Sequence, residues 1–354
     1  MKKFLHGTYA IEVKNGRLNM GGDESKTGST NNGTYVKKIR NGNKVYPYVS
    51  GQSLGYNMKQ ISKTFGANIS NIILDKESKN QECIIEANPY KNYDEDLFGF
   101  MRAKSIEITE GEYEVLPDNV KKFFNKDGKK YKRNITKKRL RRLMKSPLQT
   151  ISSTRITEEF CTRKTDSGES NILYSKEVYS NIMNGSFSLD IDNIGVFTTT
   201  HDNLGYIDYL EDEIEALNIK PDESGLIKLD KNERFNRIKY TLKSIQYLNT
   251  NVGQNTNQEN INSKFIIIAD YSLPSNLFIN CFRDGEFNIE YFKESLESYE
   301  EYRLSDIYIG IYSGFMGDLK EKLQEEFKDN EMIHITTVKD AFDSYLEYTE
   351  GNLK

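Results

Sequence analysis

Residues 2–13 alternate, with Leu5, Tyr9, Ile11 and Val13 on one side and Phe4, His6, Thr8 and Glu12 on the other, which predicts a half-buried strand. A Gly/Ser/Asn-rich loop, LNMGGDESKTGSTNNG, follows. A short basic loop comes next, with Lys37, Lys38, Arg40 and Lys44 around an Asn41-Gly42 turn signal. Ser50 then suits an N-cap, and Leu54, Met58, Ile61 and Phe65 recur at helical spacing, so a helix is predicted with that face inward. Gln52, Gly55, Lys59 and Lys63 fall on another, open face. From residue 67 to about 146 the pattern is irregular and reads as a large insertion. SPLQTISST at 146–154 predicts a second strand, and the following stretch, with its Asp166-Ser167-Gly168 turn, a protruding hairpin. FSLDIDNIGVF at 187–197 predicts a third strand. Asp230 and Glu233 form a capping-box-like start for a helix carrying Phe235, Ile238, Leu242 and Ile245. KFIIIADY at 264–271 predicts a buried strand. Beyond it the pattern alternates helix (288–302), strand (306–312), helix (317–328), strand (332–337) and helix (338–348).

Stripped of insertions, the order is β-α-β-β-α-β, an α+β chain on the ferredoxin-like (RRM-like) plan. That plan hosts many functions and selects none. The 354 residues suit one large domain with insertions as well as two domains. No apolar run reaches the roughly 18 residues of a membrane span, and the N-terminus lacks the apolar core of a signal peptide. Cys83, Cys161 and Cys281 are odd in number and far apart, which fits a reducing cytoplasm and not a disulfide framework or zinc cluster.

Charge changes the picture. The net charge of −4 conceals 13 Lys/Arg against one acid between Lys121 and Lys145, and 17 acids against 6 bases between Glu286 and Glu350. A concentrated basic run is a polyanion-binding signal. The 121–145 run reads either as a disordered basic stretch or as a projection that touches nucleic acid, and a segment of this kind orders on binding. Its end has a helical reading, with Thr136 as N-cap and Leu140 and Leu143 on one side.

Lys37, Lys38, Arg40 and Lys44 beside the start of a helix make a phosphate-binding expectation, because backbone N–H groups and the helix dipole favour an anion there. Ser50, Gln52 and Ser53 add donors, and Lys59 adds a charge four positions after Gly55. Arg102 and Lys104, next to Phe98 and Phe100, resemble a phosphate-and-stacking pair. A catalytic signature is missing: there is no P-loop, dinucleotide fingerprint or nucleophile elbow, and His6, His201 and His334 lack metal-ligand spacing. Asp190 and Asp192 alternate on a strand, where a solvated face is the default reading. No catalytic residue, metal or other cofactor is therefore expected.

YPYVSGQSL at 46–54, after a basic loop and an N-terminal strand, resembles the CRISPR-associated DevR-type autoregulator family of the RAMP superfamily. LFGFMRAKS at 97–105, SPLQTIS at 146–152, the FSLDIDNIGVF strand and NERFNRIKYTLKSI at 232–245 extend the likeness in order. One departure is that Gly55-Tyr56 stand after SGQSL, where many relatives carry a basic residue. The resemblance implies a backbone subunit of a type I (I-B-like) Cascade complex. Its parts would be a palm at 1–66, a fingers insertion at 67–146, a palm strand at 147–154, a thumb hairpin at 155–182, and the second part of the palm at 183–354 with an acidic C-terminal extension. Implied partners are crRNA, target DNA, other Cascade subunits, and copies of the chain in a helical filament. In the thumb, Phe160, Ile172 and Leu173 are wedge candidates, and Arg155, Arg163 and Lys164 phosphate contacts. In type III relatives an acid in the loop after the first strand cuts RNA. Asp23 and Glu24 stand in that loop here, so a metal-dependent RNase is one alternative and a stand-alone RNA-binding regulator another.

Overall fold

The computed structural model describes residues 2–20, 33–74, 83–164, 171–199, 209–250 and 259–353. The chain divides into two compact units, residues 1–66, 143–192 and 238–354 in the first, and 67–142 and 193–237 in the second.

The first unit is built on one sheet. Its strands are β1 (Phe4–Gly16), β2 (Lys38–Asn41), β3 (Lys44–Val49), β4 (Leu143–Lys145), β5 (Leu148–Thr150), β6 (Thr157–Lys164), β7 (Asn171–Asp190), β8 (Phe265–Tyr271), β9 (Ile307–Ile311) and β10 (Ile333–Thr336). The order is β10-β9-β8-β1-β7-β5-β3-β2, with β4, β6 and the two-residue strand Gly33–Thr34 also on β7. The central quartet β8-β1-β7-β5 is antiparallel throughout, the spatial order expected of a β-α-β-β-α-β chain. Helices α1 (Gly51–Thr64), α2 (Lys231–Gln246), α3 (Ile289–Ser298), α4 (Leu319–Glu326) and α5 (Val338–Asn352) complete the elements used below, and residues of α2 before Ile238 count with the second unit.

Layers cover both faces of the sheet, and two strands depart from the sequence reading. All seven residues of β8 are buried. Phe265, Ile267 and Ala269 pack with Phe292, Leu319 and Leu323 from α3 and α4. On the other face α5 comes so close that a Cβ at Gly310 would lie 2.6 Å from the Val338 Cα. Strand β1 is likewise buried on both faces rather than half-buried, His6 and Thr8 included. The third strand begins at Asn171, not near 187, and is 20 residues long. Its first half pairs with β6 and, at Ser175 and Lys176, with Gly33 and Thr34, whereas its second half runs alongside β1. The predicted strand 187–197 ends at Asp190, and Val196–Thr198 belongs to the second unit.

The buried His6 is held neutral. Its Nε2 donates to the Leu273 carbonyl and its Nδ1 accepts from Ser188 Oγ, both at 2.7 Å. Burial pushes the imidazole down to about 4, against the weaker opposing effect of the Leu273 bond. The unfolded chain therefore binds a proton below pH 6.5 that the native chain refuses until about pH 4. Stability should fall with pH across that window, by about 2–3 kcal/mol between pH 7 and 4.5 from this group alone. Urea unfolding of the native chain and of His6→Gln at both pH values measures it. Equal pH slopes in the two proteins would refute the assignment.

The second unit carries the charged surprise. Lys121–Lys145 is neither disordered nor helical at its end: it forms short strands at Asn125–Asp127, Lys130–Asn134 and Lys137–Arg139, and its last three residues are β4 of the first unit. Lys130 and Lys132 both reach Glu107 at 3.4 Å, and Lys126 reaches Glu110 at 3.1 Å. Tyr113 and Tyr131 stack at 3.7 Å, with Lys121 over one ring and Lys126 over the other. Lys137 is buried against Glu213 at 2.9 Å, and Arg139 is buried against Asp96. Folding thus cancels much of a charge that looked concentrated along the sequence. Residues 193–237, assigned from the sequence to the palm, fold with 67–142. Phe197, Tyr209, Ile214, Ile227 and Leu229 form their core with Tyr90 packed on it, and Arg237 joins Asp96.

Candidate nucleic-acid interface

The predicted basic loop is an edge hairpin. Strands β2 and β3 pair from Lys38↔Pro47 to Asn41↔Lys44, closed by a two-residue turn. Gly42 takes the first turn position with φ +57°, which a side chain would resist. Alternation sends Lys38 and Arg40 to one face and Lys37 and Ile39 to the other. Lysine and arginine on an edge strand also discourage uncontrolled strand addition.

The hairpin is laced to the segment after β5. Val45 N–H donates to Ser153 Oγ at 2.9 Å, and Thr154 N–H donates back to the Val45 carbonyl at 3.0 Å. The result is a cleft of about 550 Å³ lined by Lys38, Arg40, Asn43, Ser153, Thr154 and Arg155, with Glu158 and Glu177 at one side. Three predicted RNA-binding residues, Lys38, Arg40 and Arg155, therefore meet in one place. Arg40 and Arg155 are exposed, and no ion pair involves either among the described residues. Lys38 is different: its ammonium sits 2.6 Å from Glu177, which also accepts the Val36 N–H at 2.8 Å.

Helix α1 starts as the sequence predicts, with Ser50 Oγ accepting from Ser53 N–H at 3.3 Å. That oxygen is also within 3.5 Å of the Asn19 amide, so Ser50 serves the fold. Leu54 and Met58 are buried, but Phe65 is 41% exposed and stacks on Tyr247. Gly55 is buried rather than open, and Tyr56 takes the outward position at 59% exposure. Gln52 and Lys63 are exposed, Lys59 half-buried. Sequence reasoning missed Lys145, whose ammonium donates to the Gly51 carbonyl at the first turn. Only the pairing of β4 with β7 brings Lys145 to that position, and nothing local in the sequence signals it.

The β6–β7 hairpin pairs from Thr157↔Val178 to Lys164↔Asn171. Phe160 faces Ser175 and Leu173 faces Thr162, which puts the two exposed apolar side chains diagonally on one face. Ile172 pairs with Arg163, one step out of that register. Arg163 and Lys164 are exposed at the distal end. The Asp166-Ser167-Gly168 turn, Asp23, Glu24 and His201 lie outside the described residues.

Arg102 and Lys104 belong to the second unit. Arg102 is engaged internally, 3.5 Å from the Glu86 carbonyl and 3.8 Å from Glu213, whereas Lys104 is exposed. Phe98 packs edge-on against Tyr93, which makes it part of the structure. Asp192 accepts the Lys3 N–H at 2.8 Å. Among the described residues no group of three or more His, Cys, Asp or Glu is placed to share a metal ion. None of their helices is long and apolar enough to cross a membrane.

Residues 147–295 match the family model described as "CRISPR-associated negative auto-regulator DevR/Csa2". The resemblance read from the sequence is thus shown over β5, the β6–β7 hairpin, the remainder of β7, α2 and β8. The YPYVSGQSL run lies before that span. No curated protein matches the chain. Among solved structures, a chain of a "CRISPR RNA-guided surveillance complex, pre-nicking" is similar with a TM-score of 0.50 at 11% identity, over 98% of this chain and 99% of that one. A chain of a "CRISPR RNA-guided surveillance complex" gives 0.48 at 12% identity over the same shares. The former likeness is one of fold.

Proposed function

We propose that this chain is a non-catalytic, RNA-binding subunit of a CRISPR-associated, Cascade-like surveillance complex, of the type I-B-like class. Several copies line up along one guide RNA, hold its phosphates and leave bases exposed for pairing with target DNA, with other complex subunits at the ends. The observation that carries this reading is the cleft in which Arg40 and Arg155, far apart in sequence, stand exposed beside Ser153, Thr154 and Asn43. Backbone neutralisation of this kind ignores base identity, as a subunit that must hold any guide requires. The family match over residues 147–295 and the fold shared with a chain of an RNA-guided surveillance complex support the same reading. The exposed Phe160–Leu173 face is the candidate wedge beside a displaced base, and Arg163 and Lys164 are candidate phosphate contacts at the hairpin end.

Expression of the chain with a guide-RNA transcript, followed by native mass spectrometry in the reducing conditions of a cytoplasm, tests the proposal. The expected product is RNA of defined length carrying several protein copies. A nucleic-acid-free monomer that also fails to bind single-stranded RNA at low salt would end the reading. Metal-dependent RNA cutting abolished by Asp23→Ala would replace it with the RNase alternative.

A further inference from the structure

The cleft contains a counter-charge that its proposed use does not need. Glu158 and Glu177 stand directly opposite one another on β6 and β7. Like charges in that position repel, so each carboxylate is expected to take a partner of its own. Glu177 finds Lys38, whose side chain is left 8% exposed by the contact. The same carboxylate takes the Val36 N–H, which fixes its position at the cleft wall. Arg40 and Arg155 line the same cleft with no such partner among the described residues.

We infer that Glu177 is an affinity-setting residue of this cleft: it holds Lys38 away from solution anions and yields it only to a strand that engages Arg40 and Arg155 together. An isolated phosphate entering the cleft meets Arg40, Arg155 and a Lys38 already neutralised by Glu177, a weaker attraction than three available cations would give. A polynucleotide brings several phosphates on one chain, so its contact with the two arginines raises the local concentration of the next phosphate beside Lys38. Exchange of carboxylate for phosphate at Lys38 conserves its charge partner, and the released Glu177 then takes a cation from solution. Binding by the native chain therefore releases one counterion fewer than the number of phosphates it contacts. The inference rests on the RNA-binding reading above, and it adds a discrimination between a strand and small anions.

Glu177→Gln keeps an oxygen for the Val36 N–H and removes the charge. With a fluorescent ten-nucleotide oligouridylate as probe, this variant should bind about 5-fold tighter. Its plot of log affinity against log salt should steepen by about 0.7, the value of one more counterion released from a single strand. Inorganic phosphate at millimolar concentration should compete with the probe better in the variant than in the native chain. The gain should vanish in a Lys38→Met background, which a purely structural role for Glu177 would not predict. If Glu177→Gln does not fold, Glu177→Asp withdraws the carboxylate by one methylene and should give part of the same gain. Unchanged or weaker binding by a folded variant overturns the inference. Arg40→Glu and Arg155→Glu, measured beside it, separate the two failures: if they weaken binding while Glu177→Gln does nothing, only the role of Glu177 is lost. If they too leave binding unchanged, the RNA-binding reading falls with it.

Discussion

Replacing Arg40 and Arg155 together with glutamate lowers affinity for single-stranded RNA by at least about 100-fold at low salt. Each arginine stands exposed at the cleft, and a hydrogen bond to a charged group contributes about 1.5–3 kcal/mol. Two such contacts removed correspond to about two to four decades in Kd, and the introduced carboxylates add repulsion. The salt slope should flatten by about 1.4, two single-strand phosphates' worth. Because neither side chain forms an ion pair in the free chain among the described residues, thermal stability should stay within about 0.5 kcal/mol of the native value. The loss should be equal for RNAs of unrelated sequence, since phosphate contacts carry no base information. The two lysine variants should retain much of the affinity, as a point charge suffices for neutralisation where a bidentate fork is not required. Fluorescence anisotropy over a salt series measures all of this. A loss under threefold in a double variant that melts normally would place the RNA elsewhere on the chain.

How far the sequence reveals this site depends on how local the signals are. Ser50 and the Leu54–Met58 spacing announce helix α1, because a cap and a periodic face are written within a few residues. KFIIIADY announces β8, because a strand covered on both faces has no polar positions to interrupt it. Lys38, Arg40 and Arg155 are legible as basic residues near expected phosphate sites, but their meeting depends on bonds between Val45 and residues 153 and 154. Their inequality is less visible still. Lys38 differs from Arg40 only because β7 brings Glu177 beside it, and the first half of β7 is too polar to read as a strand. The +12 run from Lys121 to Lys145 misleads for the same reason. Its partners Glu107, Glu110, Asp96 and Glu213 lie before or after it in sequence, and only non-local folding sets them against its charges. A linear count of charge measures concentration along the chain, whereas a polyanion responds to what remains uncompensated in space.

Asp96→Ala should unfold the second unit or bring it close to unfolding. Asp96 has no exposed surface and bridges two equally buried guanidiniums, Arg139 at one oxygen and Arg237 at 2.7 Å from the other. Burial alone would raise this carboxyl, yet the two arginines outweigh it and hold the group below its ordinary value, so it is charged at neutral pH. Gly195 N–H completes the second oxygen's contacts at 2.9 Å. The arginines in turn hold the chain around them: Arg139 donates to the Val196 and Asn193 carbonyls, and Arg237 to those of Pro89 and Tyr90. Removing the carboxylate takes the shared anion from two buried guanidiniums and leaves Arg237 with Glu233, 3.0 Å from its Nε; breaking a buried pair of this kind typically costs about 3–5 kcal/mol. For a chain of this size that corresponds to a fall in Tm of about 10 °C. Hydrogen exchange should report it as lost protection at residues 86–98 and 193–199, with β1 and β8 retaining theirs. The reverse experiment separates charge from shape. Asp96→Leu combined with Arg139→Met and Arg237→Met removes all three charges at similar volume and should recover much of the loss, because a buried ion pair often contributes little beyond its apolar replacement. An Asp96→Ala protein that melts within about 2 °C of the native chain would mean that water or a rearranged acid reaches the two arginines, and that the triad does not organise this unit.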